Sequence, residues 1–395
     1  MRKKVLVLTS TFPRWKGDTN PPFVFELSRR LTDKFDVAVL TPHFPGSKNT
    51  ETMDRLKVHR FHYFFEKFEK LAGDGGMLPT LKANKRYYLT VPFFLLFEII
   101  ATLKLVKKLK PDIIHAHWII PQGLAAYINF LINKTPYIVT SHGGDIFGLQ
   151  NKYLIKLKKL ILEKAKSITV VSSAIKKEVI KIDPNLESKI KIIPMGVDSK
   201  LFNPDKYDES IKKKYDITGP FLLFVGRLAE KKGVRYLIEA IPAVLKEYPK
   251  AELLIIGSGT LELDLKNLAD KLHLSSSIIF IGAIQNSDLP KFYATADIFI
   301  GPSIVADDGD REGLPVTYME AMACGCPVIA TDLPGNRDII NEVNGYLVRQ
   351  KDSKDIAVKI LFGLKNKWNR NVIANFIKRN YSWKIIVNKY LYELS

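Results

Sequence analysis

Glu312 and Glu320 stand eight residues apart in the stretch REGLPVTYMEAMACGCPVIAT, Arg311 to Thr331. Pro315 suits the first turn of a helix, because its missing N–H would be unpaired there anyway, and Thr317 to Ala323 reads as helix. Free N–H groups at such a start, with the positive end of the helix dipole, make an anion site suited to phosphate. A carboxylate at a phosphate site repels the ligand unless it points to neutral hydroxyls. Two acids there suit a ligand with a polyol at each end of a diphosphate, and a nucleotide sugar fits that description. Taken alone, the pair is equally well explained by an acid complementing the dipole and a chance spacing.

Other residues bear on that choice. In GRLAEKKG, Arg227 and Lys232 lie on a strand-to-helix loop, from which a planar fork and a point charge can meet a phosphate pair. In SHGGDIF, His142 and Asp145 surround two glycines that let backbone approach a ligand closely. The histidine there can hydrogen-bond a sugar hydroxyl or a main-chain carbonyl. In PDIIHAHW, His115 and His117 alternate onto one face as a strand ends, where side chains would enter a cleft. No third ligand lies nearby in sequence, so they read as hydrogen-bonding groups rather than zinc ligands. Gly17, Asp18 and Asn20 occupy the first strand-to-helix loop without a G-x-G-x-x-G pattern, which suits contact with an acceptor. His117 and Asp145 join that acceptor side. Asp307, Asp308 and Asp310 read as a solvated acidic lip rather than a cation site.

The elements that must position these groups alternate strand and helix. Val5 to Leu8, Asp36 to Leu40, Lys57 to Phe64, the PDIIHAH segment, Tyr137 to Thr140, Ser167 to Val171 and Lys189 to Ile193 give a first sheet of six or seven strands. Pro194 to Pro204 reads as a linker. Phe221 to Val225, Glu252 to Ile256, Ile278 to Ile281, Ile298 to Gly301 and Val328 to Thr331 then restart the alternation, with a small last strand at Asn344 to Val348. The loops after these strands place Gly226, Gly257, Ile284 and Ser303 on the donor side, with Gly313 and Leu314. The fold class is therefore α/β, with two facing Rossmann-like doubly wound domains, 1–196 and 197–379, and a ligand cleft between their strand ends. The last helix, Trp383 to Leu394, carries enough aromatic surface to need a docking partner, which the first domain could supply.

The 395 residues carry a net charge of +19, unevenly spread. Up to Asp216 there are 38 Lys and Arg against 21 Asp and Glu, and beyond it 22 against 20, so the two halves face different partners. Without a recognisable nucleic-acid module, an anionic lipid surface suits the basic half better than nucleic acid. Phe64, Phe65, Phe68 and Leu71, with Lys67 and Lys70 between them, have the spacing of an interfacial segment, and equally that of a buried aromatic face. Val91 to Val106 is the most apolar run, interrupted by Glu98 and Lys104 and short of the ~20 residues of a membrane span. The opening MRKKVLVLTSTF reads as a first strand rather than a secretory signal, and Cys324 and Cys326, separated by one glycine, suggest a reducing compartment. The expectation is a cytoplasmic protein, peripheral on the inner face of the cytoplasmic membrane.

GRLAEKKG, EGLPVTYMEAMACGCPVIAT, SHGGDIF and PMGVD, in this order and spacing, resemble the retaining glycosyltransferases of family 4, and the resemblance spans nearly the whole chain. It implies the GT-B fold and transfer of a hexosyl group from a nucleoside diphosphate sugar, a UDP-sugar first among them, to a glycan or lipid-linked acceptor. It implies that Arg227 and Lys232 bind the donor diphosphate, Glu312 the sugar hydroxyls and Glu320 the ribose. His142 would lie near the donor sugar, and Gly313 and Leu314 would offer backbone N–H groups. No metal or other cofactor is implied, and a C-terminal helix, 380–395, is expected to pack back on the first domain. The FPRWKGD opening and the DGDREGLPV form further resemble exopolysaccharide and lipid-linked-glycan transferases. The chain departs from the family at Pro21 and Pro22, where many members have glycines, and at Met195, where Asn is usual. A GT-B epimerase or phosphorylase, and a catalytically silent sugar-nucleotide-binding or membrane scaffold protein, are the alternative readings.

Overall fold

The computed structural model describes residues 2–18, 22–73, 76–148, 150–307 and 309–395. Asn20 and Pro21 of the first loop and Asp308 of the acidic lip lie outside the described residues. The chain divides into two units, 1–195 with 386–395, and 196–385.

The first unit is built on eight strands: β1 Lys4–Leu8, β2 Asp36–Pro42, β3 Thr50–Met53, β4 Leu56–Phe61, β5 Ile113–His117, β6 Tyr137–Ser141, β7 Ser167–Val170 and β8 Ile190–Ile192. Their order is β3-β4-β2-β1-β5-β6-β7-β8, parallel except for β3, which pairs antiparallel with β4. The sequence expectation of six or seven strands misses β3. Its TETM has no apolar alternation to announce it, and its pairing is set by the short turn at Asp54 and Arg55, both with positive φ. β1 is buried almost throughout and reads as an apolar run, as a strand covered on both faces does, whereas β5 and β6 are equally buried but bury His115, His117, Thr140 and Ser141 as well.

The second unit has six parallel strands: β9 Phe221–Val225, β10 Glu252–Ile256, β11 Ile278–Gly282, β12 Ile298–Gly301, β13 Val328–Thr331 and β14 Gly345–Val348, ordered β11-β10-β9-β12-β13-β14. Leu222, Phe224 and Ile255 of this sheet pack with Leu237 and Ile241 of the helix Val234–Glu247 and Ile360 of the helix Ser353–Lys365. In both sheets the strand order reverses beside the first strand of the unit, between β1 and β5 and between β9 and β12. In open sheets of this kind, ligands collect outside the carboxyl ends at that reversal.

The stretch expected as a linker is held in place within the second unit. Val197 bridges to Ser382, its N–H donating to Tyr381 O at 2.9 Å and its carbonyl accepting from Trp383 N at 3.1 Å. Phe202 is buried, its ring 6.1 Å from that of Tyr293. A Cβ on Gly196 would come within 2.6 Å of the Trp383 indole, which is why this position accepts only glycine without rearrangement. The return to the first unit starts at Ile386, six residues beyond the expected 380, because Tyr381 to Trp383 are engaged with Val197. From there Tyr390 lies against His115, ring centroids 5.3 Å apart, and Glu393 accepts from Ser167.

Candidate functional site

In the second unit the charged groups gather at the reversal between β9 and β12. Arg227 follows β9 after Gly226, and Lys231 and Lys232 sit in the 3-10 turn Glu230–Lys232. That turn is tied to the segment after β12: Ile304 N–H donates to Lys231 O at 2.8 Å. Gly233, at φ +63°, closes it so tightly that a Cβ would lie 2.0 Å from Pro302 O. The result brings Lys232 Nζ within 3.2 Å of Glu312 Oε1, and Lys231 Nζ within 3.6 Å of the same oxygen and 3.3 Å of Asp310.

Burial alone would push the Glu312 carboxyl up, but Lys232, Lys231 and Arg227 outweigh it and hold it at about 2. The two lysines differ. Burial lowers both, yet Lys231, facing Glu312 and Asp310, ends above the usual lysine range, whereas Lys232, whose facing acid is Glu312 alone and which is repelled by Lys231 and Arg227, ends below it. Of the two lysines, Lys232 is the one whose charge its surroundings favour less, and an incoming anion would favour it more. Sequence reasoning singled out Lys232 and missed Lys231; the doubled lysine of EKKG was the available signal.

Glu320 occupies a different environment. The helix runs Val316–Ala323, with Pro315 at the N-cap in extended conformation, ψ 126°, rather than inside the first turn. Glu320 is buried in its second turn, accepting from Tyr293 OH at 3.1 Å and Asn286 Nδ2 at 3.3 Å. Burial raises its carboxyl to about 7, although both hydrogen bonds pull the other way. Asn286 and Tyr293 went unnoticed in the sequence because they come from a different strand-to-helix unit, 34 and 27 residues away.

Gly226, Gly257 and Ile284 lie on loops after three neighbouring strands, β9, β10 and β11. Gly226 N–H donates to Ile256 O and Gly257 N–H to Gly282 O, and a Cβ on Gly257, at φ +139°, would fall 1.9 Å from Gly226 O. The loops approach through bare backbone. Ser303 turns inward: its Oγ is 3.2 Å from Tyr318 OH, which itself donates to Gly301 O at 2.8 Å. Ser303 thus braces the loop after β12. Gly313 and Leu314 precede the helix start, both buried.

In the first unit a second group forms around β5 and β6. His142 is half-buried, its Nε2 2.9 Å from His117 Nδ1, with the Trp118 and Phe23 rings 4.7 and 5.1 Å away. His115 Nε2 lies 2.7 Å from Thr140 Oγ1. Burial lowers His115 and His142 to about 3, and His117 well below the usual range, so the cluster is neutral at physiological pH. His115 and His117 do not open into a cleft as the alternation suggested. Both are fully buried, His115 beneath Tyr390 and His117 against His142.

Asp145 and Asp18, expected on the acceptor side, spend their carboxylates on neighbouring groups of the first unit. Asp145 accepts from Ile119 N, Ser141 Oγ and Gly143 N at 2.7, 2.8 and 3.2 Å, and so fixes the glycine turn that carries His142. Asp18 is forked by Arg14 at 2.7 and 2.9 Å, and Arg14 lies between the Trp15 and Phe44 rings. Gly17 beside it stays exposed at φ +84°. Among the described residues, His43, His62 and Glu69 are the one group of such side chains close enough to share an ion. Their atoms already serve each other: Glu69 Oε2 lies 2.6 and 2.9 Å from the two Nδ1 atoms, and the Nε2 atoms meet Ser47 O and Asn49 Oδ1. The trio is a hydrogen-bonded clamp.

The two doubly wound units, the second with a helix start flanked by acids and lysines, are those of the GT-B fold. Residues 22–201 match the model of Glycosyltransferase Family 4, and residues 207–383 that of Glycosyl transferases group 1. An uncharacterized glycosyltransferase of Methanocaldococcus jannaschii is 30% identical over 305 residues, 73% of this chain and 72% of its own length. A GDP-mannose-dependent monoacylated alpha-(1-6)-phosphatidylinositol monomannoside mannosyltransferase of Corynebacterium glutamicum is 33% identical over 203 residues, 49% of this chain and 53% of that protein. Anabaena HepE, solved in complex with UDP, superposes with a TM-score of 0.74 over 99% of each chain at 17% identity, a likeness of fold. The chain belongs to the family 4 glycosyltransferases.

Proposed function

We propose that the protein moves a hexosyl group from a nucleoside diphosphate sugar, a UDP-sugar first among candidates, to a hydroxyl of a glycan or lipid-linked acceptor, with retention at the anomeric carbon. The observation that carries this reading is the group Arg227, Lys231 and Lys232 around Glu312 at the strand-order reversal. In the reaction, the bond from the anomeric carbon to the diphosphate oxygen breaks while the acceptor oxygen bonds to that carbon on the same face. A phosphate oxygen of the departing diphosphate takes the acceptor proton. The charge that develops is thus on the diphosphate, where Arg227, Lys232 and the N–H groups at the start of Val316–Ala323 stabilise it. Glu312, ionised, holds sugar hydroxyls rather than attacking carbon, and Glu320, near neutrality, exchanges hydrogen bonds with ribose hydroxyls. His142, kept neutral, meets the sugar without adding charge. HepE bound UDP and the Corynebacterium relative is named for GDP-mannose, so the base is best assigned by experiment. The working location is the cytoplasm, at the inner face of the cytoplasmic membrane, in keeping with the basic first half.

The test is release of nucleoside diphosphate from a panel of UDP-, GDP- and ADP-sugars in the presence of membrane extract, with the product analysed for anomeric configuration. Release with one donor class and a retained anomer supports the reading. No release with any donor contradicts it, and isomerised sugar without transfer would mark an epimerase.

A further inference from the structure

The helix Val91–Leu109 follows a 3-10 turn, Lys85–Thr90, and together they form a 25-residue run whose most apolar window has a mean hydropathy of 2.0. It is longer than the sequence pattern suggested, and by length and composition it could cross a membrane. One face is committed to the first unit instead. Phe94, Glu98, Thr102, Leu105 and Val106 are buried, and Gln122 donates to Glu98 Oε1 at 2.9 Å. On the opposite face Leu89, Phe93, Leu96 and Phe97, spaced to share one side of a helix, are exposed, Leu89 to 74% and Leu96 to 52%. A helix side that meets water is ordinarily polar.

A second element extends this face. Phe64 packs against Phe93 at 5.4 Å, Phe65 at 5.2 Å and Phe68 at 6.1 Å, and Phe65 is 72% exposed and Phe68 45%. Of the stripe noted in the sequence, Leu71 alone is core. The loop is held rigidly: Glu69 accepts from the N–H groups of Tyr63 and Phe64, and Tyr63 OH from Leu71 N–H. Cations frame the patch. Lys67, Lys70, Lys85 and Arg86 are exposed at one end, and Lys104 and Lys107 continue the exposed helix side at the other. Among described residues from 64 to 110, Glu66 is the one exposed acid, since Glu69 and Glu98 are buried.

We propose that the face formed by Phe65, Phe68, Leu89, Phe93, Leu96 and Phe97 is where the first unit enters the headgroup layer of an anionic lipid bilayer. The aromatics meet the acyl boundary while the lysines reach the phosphates, the arrangement of an interfacial helix lying in the membrane plane. A second copy of the chain fits less well, because its own cationic rim would oppose this one. This deepens the membrane location proposed above, and it involves none of the transfer residues, so it stands or falls separately from the donor chemistry.

The experiment is flotation of the full chain with vesicles of phosphatidylcholine alone and of phosphatidylcholine with phosphatidylglycerol, at low and high salt. Wild type is expected to float with the anionic vesicles, less so at high salt. Phe93→Ser/Leu96→Ser/Phe97→Ser should bind at least about tenfold more weakly, and Phe65→Ser, in a loop, about threefold, each with an unchanged thermal midpoint. Lys104→Gln/Lys107→Gln should lose about fivefold per lysine on anionic vesicles only. Equal binding to both vesicle types, or a triple variant and Phe65→Ser that both bind like wild type, overturns the proposal. So does a concentration-dependent dimer that the triple variant abolishes while wild type fails to float, which would assign the face to a second copy.

Discussion

At the reversal of the second sheet, Glu312 lies 3.2 Å from Lys232 and its carboxyl is held at about 2. Near the corresponding point of the first sheet, His142, His117 and His115 are all driven to the neutral form by burial. The two units share a topology and differ in what it carries: fixed charge in one, neutral hydrogen-bonding rings in the other. A site that stabilises a charge appearing during reaction needs preorganised ions. A site that meets hydroxyls needs donors and acceptors without net charge, because an unpaired buried ion there would be costly. The contrast repeats within the second unit, where Glu312 among cations stays ionised and Glu320, facing Tyr293 and Asn286, rises to about 7.

The largest effect expected from this contrast is at Lys232. Lys232→Ala should lower turnover by about 10²–10³-fold, roughly 3–4 kcal/mol of transition-state stabilisation, with little change in thermal midpoint; near-normal kcat at saturating donor would remove the lysine from the chemistry. Next come the two acids. Glu312→Gln should cost about a hundredfold in kcat/KM, while Glu320→Gln should cost less than about tenfold, because the amide resembles a carboxyl already half protonated near neutrality. Equal losses would erase the difference between their environments. His142→Ala should reduce transfer by about tenfold and leave nucleoside diphosphate affinity unchanged, as assayed by calorimetry.

The smallest predicted effect concerns stability. Burial raises Glu98 from 4.5 to about 8, against the hydrogen bond from Gln122. The native state therefore keeps a proton that the unfolded chain releases above 4.5, and wild type loses stability as pH rises from there to about 8. Glu98→Gln lacks that dependence. It should melt a few degrees higher than wild type at pH near 8 and alike near 4.5, and a parallel pH profile for the two proteins would place the ionised form in the core.

The strands were legible because β1 and β9 are apolar runs buried on both faces, β5, β6 and β10 each carry a buried apolar stretch, and the glycines and charged loops at their ends punctuate them. β3 was not legible, since TETM is half exposed and owes its pairing to a turn. Of the site, Arg227, Lys232, Glu312 and Glu320 could be named because each lies in a local pattern with a mechanical reason. Whether a side chain points outward could not be read. Asp145, Asp18 and Ser303 stand in the right loops yet spend their polar atoms on Gly143, Arg14 and Tyr318. Tyr293 and Asn286 were missed for the converse reason: nothing in their own neighbourhood refers to Glu320.

The most direct test of this division of labour is a calorimetric titration of nucleoside diphosphate into wild type, Arg227→Ala/Lys232→Ala and His142→Ala. Affinity should fall by more than about thirtyfold in the double variant and stay at the wild-type value in His142→Ala. Unchanged binding in the double variant, or its loss in His142→Ala, would contradict the assignment of the donor diphosphate to the charged loop of the second unit.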